Sequence, residues 1–570
     1  MLSRTEYPRP QLKRSSYICL NGSWDFTIDS GLSLKERGLF AEKNYDRKIQ
    51  VPFCPESELS GIGNKDFMNA VAYQRSFFIG EREKPVLRLC FGACDYETEV
   101  YVNGKKAGVH KGGYTSFSME IQDYILENSN NLLTVYAKDD NRSGKQPRGK
   151  QSPTYFSRVC DYTRTTGIWQ TVWMEWVDPV YVESLRITPH ALEGTVTFEA
   201  GLNTWFSGKA LLTVKEKEEM VLKKWVAVNG RYIHTELIRE NWILWNMDTP
   251  FLYECQLALY DKEAKGDEIE SYFGMRDIAF DGKAFLLNGE KIFLRLVLDQ
   301  GFYPRGIYTA PDEEDLVRDI VLSKKAGFNG ARLHQKIFEE RFLYHCDRLG
   351  YLVFGEFPDA GIEKKESNYL ALQREWTEAV TRDYSHPSII GWCPLNETAA
   401  DRSGDVLRAL YELTRRLDPL RPVIDASGFT HEVTDIYDVH DYEQDVEIFS
   451  DHMKAAGTEK SWVNVPEREK YEGQPYFVSE YGGIWWAEIN DSDSWGYGNR
   501  PENMEEFRKR YEGLTDALLN NPNICGFCYT QLTDVEQEKN GLYTYDREPK
   551  FDLEWLAGVN SKKAAVEKSE

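Results

Sequence analysis

A chain of 570 residues is too long for one hydrophobic core, and about three domains are expected. Apolar residues make up 41% and aromatic residues 13%, enough for several packed cores. The net charge of −23 argues against nucleic-acid and anionic-membrane partners, which need a basic face. The opening Met1-Leu2-Ser3-Arg4-Thr5-Glu6 has no apolar leader core and no run reaches spanning length, so a cytoplasmic chain without a membrane partner is expected.

Residues 1–180 read as all-β. Short alternating runs recur, such as Glu99-Val100-Tyr101-Val102 and Leu132-Leu133-Thr134-Val135-Tyr136. Asn103-Gly104 between such runs is a strong hairpin signal. Residues 181–276 continue with strand-like runs at Val196, Ala210 and Tyr253 separated by polar turns. About 100 residues of this kind suit an immunoglobulin-like β-sandwich.

From residue 277 to 570 strands alternate with amphipathic helices, which implies parallel β/α units. Strands are expected at Phe293–Asp299, Asn329–His334, Tyr351–Glu356, a run ending at Glu397, Pro422–Asp425, Ile436–His440, Tyr476–Glu480 and Cys525–Gln531. Helices are expected at Asp312–Ala326, from Glu340 to Gly350, at Tyr369–Tyr384, around Val406 and at Met504–Leu519. The stretch Asp445–Gly473 reads as a long charged loop. Eight strands with intervening helices make a (β/α)8 TIM barrel.

The ten Cys show no disulfide framework. Cys525 and Cys528 fall within one strand on opposite faces, so reduced, buried thiols are expected there. The nine His include no pair at metal-ligand spacing, so no metal and no cofactor are expected.

Active sites of this barrel form where the strands end. The strand-terminal residues are Asp299, Arg332, His334, Glu356, Asn396, Glu397, Asp425, His440, Tyr442, Glu480, Gln531 and Asp534. Two of them, Glu397 and Glu480, close buried apolar runs. Paired carboxylates at a barrel mouth are the machinery of glycoside hydrolysis: one protonates the leaving oxygen, the other attacks the anomeric carbon or activates water.

Asn396-Glu397 and Ser479-Glu480-Tyr481-Gly482-Gly483 resemble the two signature strands of glycoside hydrolase family 2. Leu20-Asn21-Gly22-Ser23-Trp24, the segment Phe91–Ile121, Thr165-Thr166-Gly167-Ile168-Trp169-Gln170 and Gly541-Leu542-Tyr543-Thr544-Tyr545-Asp546-Arg547 are also similar to that family. The resemblance implies an N-terminal jelly-roll sugar-binding domain ahead of the sandwich and barrel. It implies Glu397 as general acid/base, Glu480 as nucleophile and Asn396 as donor to the sugar 2-hydroxyl. Asp299, Arg332, His334, His440, Tyr442 and Gln531 line the expected sugar cavity, and Trp485 or Trp486 offers it an apolar wall.

Glu480 should stay ionised if Arg332 and Tyr442 donate to it. The charge of Glu480 and partial burial should in turn raise the pKa of Glu397. The β-glucuronidase motif Asn-x-Lys is replaced by Glu538-Lys539-Asn540-Gly541, and the magnesium-ligand pattern of large β-galactosidases is not recognisable. The expected activity is therefore a retaining, exo-acting β-glycosidase for β-galactosides or a related neutral sugar. A β-uronidase using Lys539 or a loop Arg, and a non-catalytic carbohydrate-binding protein, are the alternatives. Homo-oligomers are common in the family.

Overall fold

A computed structural model describes residues 3–41, 45–363, 368–399, 404–468, 470–487 and 493–568. Near its start, alternating side chains build two antiparallel sheets. One has six strands, in the order Arg47–Val51, Gly22–Ile28, Ala70–Ile79, Ser129–Lys138, Glu97–Val102, Lys105–Lys111. The other has four, in the order Ile18–Cys19, Val172–Val177, Val86–Phe91, Phe117–Glu120. Trp24, Phe26, Tyr73, Leu89, Val135 and Trp176 fill the space between them as a jelly-roll core. The Asn103-Gly104 turn has φ of 51° and 75°, the left-handed pair that a tight hairpin requires.

The middle domain differs from its sequence reading in one respect. The runs at Val196 and Ala210 are two halves of one strand, Thr195–Glu216, which pairs with Glu219–Ile238 along its length. The register slips between Gly201 and Phe206, so the strand bends there without ending. Its first half pairs with Val182–His190 and its second with Tyr253–Asp261. Phe198, Leu212, Leu257, Ile269 and Phe273 form the sandwich core.

Seven parallel strands wall the barrel: Leu294–Asp299, Gly330–Leu333, Leu352–Glu356, Ile389–Cys393, Tyr437–Asp441, Tyr476–Gly482 and Ile524–Thr530. The first pairs with the last of these. The expected fifth strand, Pro422–Asp425, is reduced to a bridge between Trp392 and Val423, with Ile424 N donating to Trp392 O at 2.9 Å. Its ladder is cut short because the backbone of Val423 also bonds Asp435, through N to Oδ2 and through O to the Asp435 amide. The run expected to end at Glu397 breaks after Cys393, and Asn396–Thr398 instead pairs with Ser427–Phe429.

Helices cover the barrel where periodicity placed them, at Glu313–Lys325, Glu340–Leu349, Tyr369–Asp383, Gly404–Leu417 and Met504–Leu519. Inside the expected loop a further helix, Val446–Lys454, is capped by the Asp445 side chain at Glu447 N and Ile448 N. No helix among the described residues is long and apolar enough to cross a membrane.

The jelly-roll and barrel share a core. Tyr114, Tyr162 and Trp169 pack with Phe302, Tyr303 and Tyr308. A strap from the N-terminal domain continues that contact over the barrel rim, with Arg148 N donating to Ala360 O at 2.9 Å and Gly149 N to Pro358 O at 3.2 Å. Gly149 has φ +55°, and a Cβ there would lie 2.3 Å from Gln335 O, so the strap is this close only because residue 149 is glycine.

Candidate active site

Arg332, buried at the end of the second barrel strand, organises the cavity floor. Its Nε donates to Glu356 Oε2 at 2.6 Å, one terminal nitrogen to Glu480 Oε1 at 2.6 Å and the other to Asn396 Oδ1 at 2.7 Å. Because guanidinium only donates, the Asn396 amide is fixed with its oxygen toward Arg332. Its NH2 group is left without a partner among the described residues.

Glu480, 4% exposed, receives a second donor from Tyr442 Oη at 2.5 Å. Burial works against its charge. His440 and Arg332 more than offset it and lower the carboxyl to about 2.

Glu397 departs from its expected state. Its φ is +45°, in the left-handed region, and its side chain remains 41% exposed. Its Oε1 lies 2.9 Å from His440 Nδ1, and Glu480 Oε2 lies 3.4 Å from the same nitrogen. Burial and the charge of Glu480 were expected to raise this group. Burial does so, but the hydrogen bond to His440, the His440 charge and then Lys150 bring it down to about 2. His440, although buried, is raised by Glu480 and Glu397.

One side-chain oxygen or nitrogen atom from each of Glu397, His440 and Glu480 lies within 4.8 Å of the other two. Charge and hydrogen bonding account for the convergence, and no metal is invoked. Carboxylates this close can act on the two faces of one small group between them.

The other rim residues separate into two sets. His334 belongs to the cluster: Nδ1 lies 2.9 Å from Glu356 Oε1, and burial, Lys150 and Arg332 hold its pKa well below the usual histidine value. Gln531 is buried, with its amide donating to Asn540 Oδ1 at 2.8 Å and its Oε1 unpaired. Trp485 is half-buried and donates to Ser494 Oγ at 3.2 Å. Trp486 packs away against Phe507 and Phe551.

Asp299 turns elsewhere. It accepts from Gly301 N at 2.8 Å, and burial with Asp319 pushes it up to about 7. Asp425 is taken up by His431 and the amides of Glu432 and Val433, and Asp534 by Lys550.

Three family models match the chain: the sugar binding domain of glycosyl hydrolases family 2 over residues 17–174, the family's middle domain over 180–276 and its TIM barrel domain over 278–515. The chain belongs to glycosyl hydrolase family 2. A β-galactosidase of Thermoanaerobacterium thermosulfurigenes is 27% identical over 72% of this chain, a match that covers 57% of that relative's length. A β-glucuronidase of Paenibacillus borealis is 23% identical over 93% of this chain and 94% of its own. Among solved structures, a β-D-glucuronidase of Dictyoglomus thermophilum superposes with a TM-score of 0.78 at 22% identity, over 98% of both chains. A β-galacturonidase of Eisenbergiella tayi does so with a TM-score of 0.76 at 20% identity, again over 98% of both. These likenesses bear on fold.

Within this family 2 frame, two charged residues at the site escaped sequence reading. Lys150, half-buried on the N-terminal strap, stands among Cys160, Glu397, Glu480 and Glu538; burial works against its charge, and these neighbours more than offset it and raise its pKa. Its ammonium has no hydrogen-bond or ion-pair partner among the described residues. Glu538, in the segment where the Asn-x-Lys motif is missing, is buried; it accepts from Tyr162 Oη at 2.5 Å and Asn540 Nδ2 at 2.9 Å. Burial lifts it to about 7. Glu538 had been noticed as a departure from a motif, whereas nothing local to Lys150 connects it with a barrel far along the chain.

Proposed function

We propose that this chain is a retaining, exo-acting β-glycosidase for neutral β-hexosides, β-galactosides foremost, with Glu480 as nucleophile and Glu397 as general acid/base. The observation that carries the reading is the approach of the two carboxylates to within 4.8 Å, with Arg332 and Tyr442 both donating to Glu480. Retaining glycosidases hold their carboxyl groups about 5–5.5 Å apart, and inverting ones about 6.5–9.5 Å to admit a water.

In this reading the ionised Glu480 attacks the anomeric carbon while Glu397 protonates the leaving oxygen. The covalent glycosyl ester is then opened by a water whose proton passes to Glu397. Asn396, held by Arg332, presents its free NH2 to the sugar 2-hydroxyl. The strap at residues 148–150 covers one side of the mouth, which fits removal of a terminal sugar.

Preference for a neutral sugar rests on charge. Arg332 is committed to Glu356 and Glu480, and the charge of Lys150 is shared among three carboxylates, so a uronate would add a further anion to a site already rich in them. Glu538 would also repel it and instead suits a sugar hydroxyl. A second reading, β-uronidase, is favoured by the Lys150 ammonium, which has no bonded partner among the described residues, and by the names of several relatives. A panel of p-nitrophenyl β-glycosides separates them. Higher kcat/KM on β-galactoside or β-glucoside than on either β-uronide supports the first reading, the reverse order the second, and no turnover of any β-glycoside removes both.

A further inference from the structure

His440 stands between the two glutamates, and its hydrogen bonds fix where its protons lie. Asp438 Oδ2 accepts from Ser427 Oγ at 2.7 Å, from Gly428 N at 3.1 Å and from Ser479 Oγ. His431 Nε2 is 3.3 Å from Asp438 Oδ1, and although burial opposes it, Asp425 and Asp438 raise His431 to about 10. Ser427 Oγ is one of three donors to Asp438 Oδ2, so the Ser427 hydroxyl hydrogen points to that carboxylate. The lone pairs of Ser427 then face His440 Nε2, 3.0 Å away, so Nε2 carries a hydrogen.

Nδ1 is thus the titrating nitrogen, and it faces Glu397 Oε1 at 2.9 Å and Glu480 Oε2 at 3.4 Å. The ring packs closely against residue 428, which has room for it only as glycine, and the backbone that carries it is pinned. A Cβ on Gly428 would lie 2.6 Å from its Cδ2, and Asn464 bonds both the N and the O of residue 440.

We propose that His440 is the proton reservoir of the acid/base: it holds the catalytic proton on Nδ1 in the empty site and passes it to Glu397 Oε1 when a glycoside covers that carboxylate. The inference rests on Glu397 being the acid/base. Covering the partly exposed Glu397 removes water from an ion pair and favours its neutral form, with a proton moving between two atoms already in hydrogen-bond contact. Glu397 then gives that proton to the leaving oxygen as the glycosidic bond breaks and the Glu480 ester forms.

Esterification removes the charge of Glu480, the strongest of those raising His440. Glu397 is left ionised beside a neutral imidazole, ready to take a proton from water. As water opens the ester, that proton returns through Glu397 to Nδ1 and the cycle closes. Arg332, His334 and Lys150 also face the pair and oppose its protonation, but none of them bonds Nδ1.

The test is the pH profile of kcat/KM for His440→Asn and His440→Gln, on a p-methoxyphenyl and a dinitrophenyl β-glycoside, with Glu397→Gln measured alongside. Loss of the reservoir should move the basic limb on the p-methoxyphenyl substrate down by about two pH units, with a loss of about 10²-fold at pH 8. The dinitrophenyl substrate, which needs no acid, should keep its limb. Basic limbs unmoved in both variants overturn the proposal. If Glu397→Gln shows no dependence on leaving group, the acid/base assignment itself fails, whatever His440 does. Should both His440 variants misfold, 15N NMR of the wild-type histidines decides: Nδ1 protonated in the free enzyme and deprotonated after 2-fluoroglycosylation is expected, and an unprotonated Nδ1 in the free enzyme overturns the proposal.

Discussion

Tyr442 lies face to face on Tyr497, ring centroids 3.4 Å apart and planes 3° from parallel, while its hydroxyl donates to Glu480. Tyr497 thereby fixes the hydroxyl that donates to Glu480. Tyr442→Phe retains the stack and deletes the donor. A hydrogen bond to a charged group is worth about 1.5–3 kcal/mol, so the Glu480 pKa should rise by about one to two units. With Glu480 as the proposed nucleophile, the acid limb of kcat/KM should move to higher pH and the basic limb should stay. An unmoved acid limb refutes this role for Tyr442.

Glu397→Gln should keep the fold and lose about 10²- to 10⁴-fold on poor leaving groups, with a small effect on dinitrophenyl glycosides. Azide should restore part of the turnover and yield a β-glycosyl azide. Uniform loss on every leaving group, without rescue, excludes Glu397 as the acid/base.

A 2-deoxy-2-fluoro β-glycoside with a good leaving group should inactivate the enzyme. Peptide mass mapping should then find the ester on the segment holding Glu480. Early product should be the β-anomer by NMR. An α-anomer first would mean inversion, and Glu480 would then be at most a base for water.

Lys150→Met tests how the strap reads substrate charge. If neutral sugars are the substrates, the variant should lower kcat/KM on β-galactoside about tenfold or less and leave the preference for neutral sugars in place. If uronides are, it should collapse uronide turnover by about 10²-fold, the loss expected when a buried charge pair is broken. Measuring kcat/KM on both substrate classes distinguishes the two.

Stability should also report on the seam between jelly-roll and barrel. Glu375 accepts from Tyr114 N at 2.8 Å, and burial pushes it from 4.5 up to about 8. A raised carboxyl contributes stability that is fully present below its unfolded value and is lost as pH rises through its folded one. From about pH 5 to 8, wild-type Tm should therefore fall more steeply than that of Glu375→Gln, which keeps the acceptor for Tyr114. Parallel Tm curves across that range would show that Glu375 is not the titrating group.

Much of the barrel was legible because its strands are buried on both faces and read as continuous apolar runs, as Ile389–Cys393 does. Pro422–Asp425 misled because four residues cannot reveal that Asp435 will take their backbone partners. Strand ends located Arg332, Asn396, His440 and Glu480 but could not tell them from Asp299, which shares the same rim and accepts from Gly301 N instead. The state of Glu397 was misread for a related reason. Its pKa depends on a 2.9 Å contact with His440, and a list of strand ends carries no distances.

The glycine at position 149 lets a jelly-roll strap touch the barrel rim and hold Lys150 beside Glu397 and Glu480. The seam between the two domains is therefore not a place where the chain can be cut and recombined freely. A barrel grafted onto another family member's N-terminal domain would inherit a foreign wall for its sugar cavity, and a library of such chimeras would vary in substrate preference even though every barrel residue stayed the same.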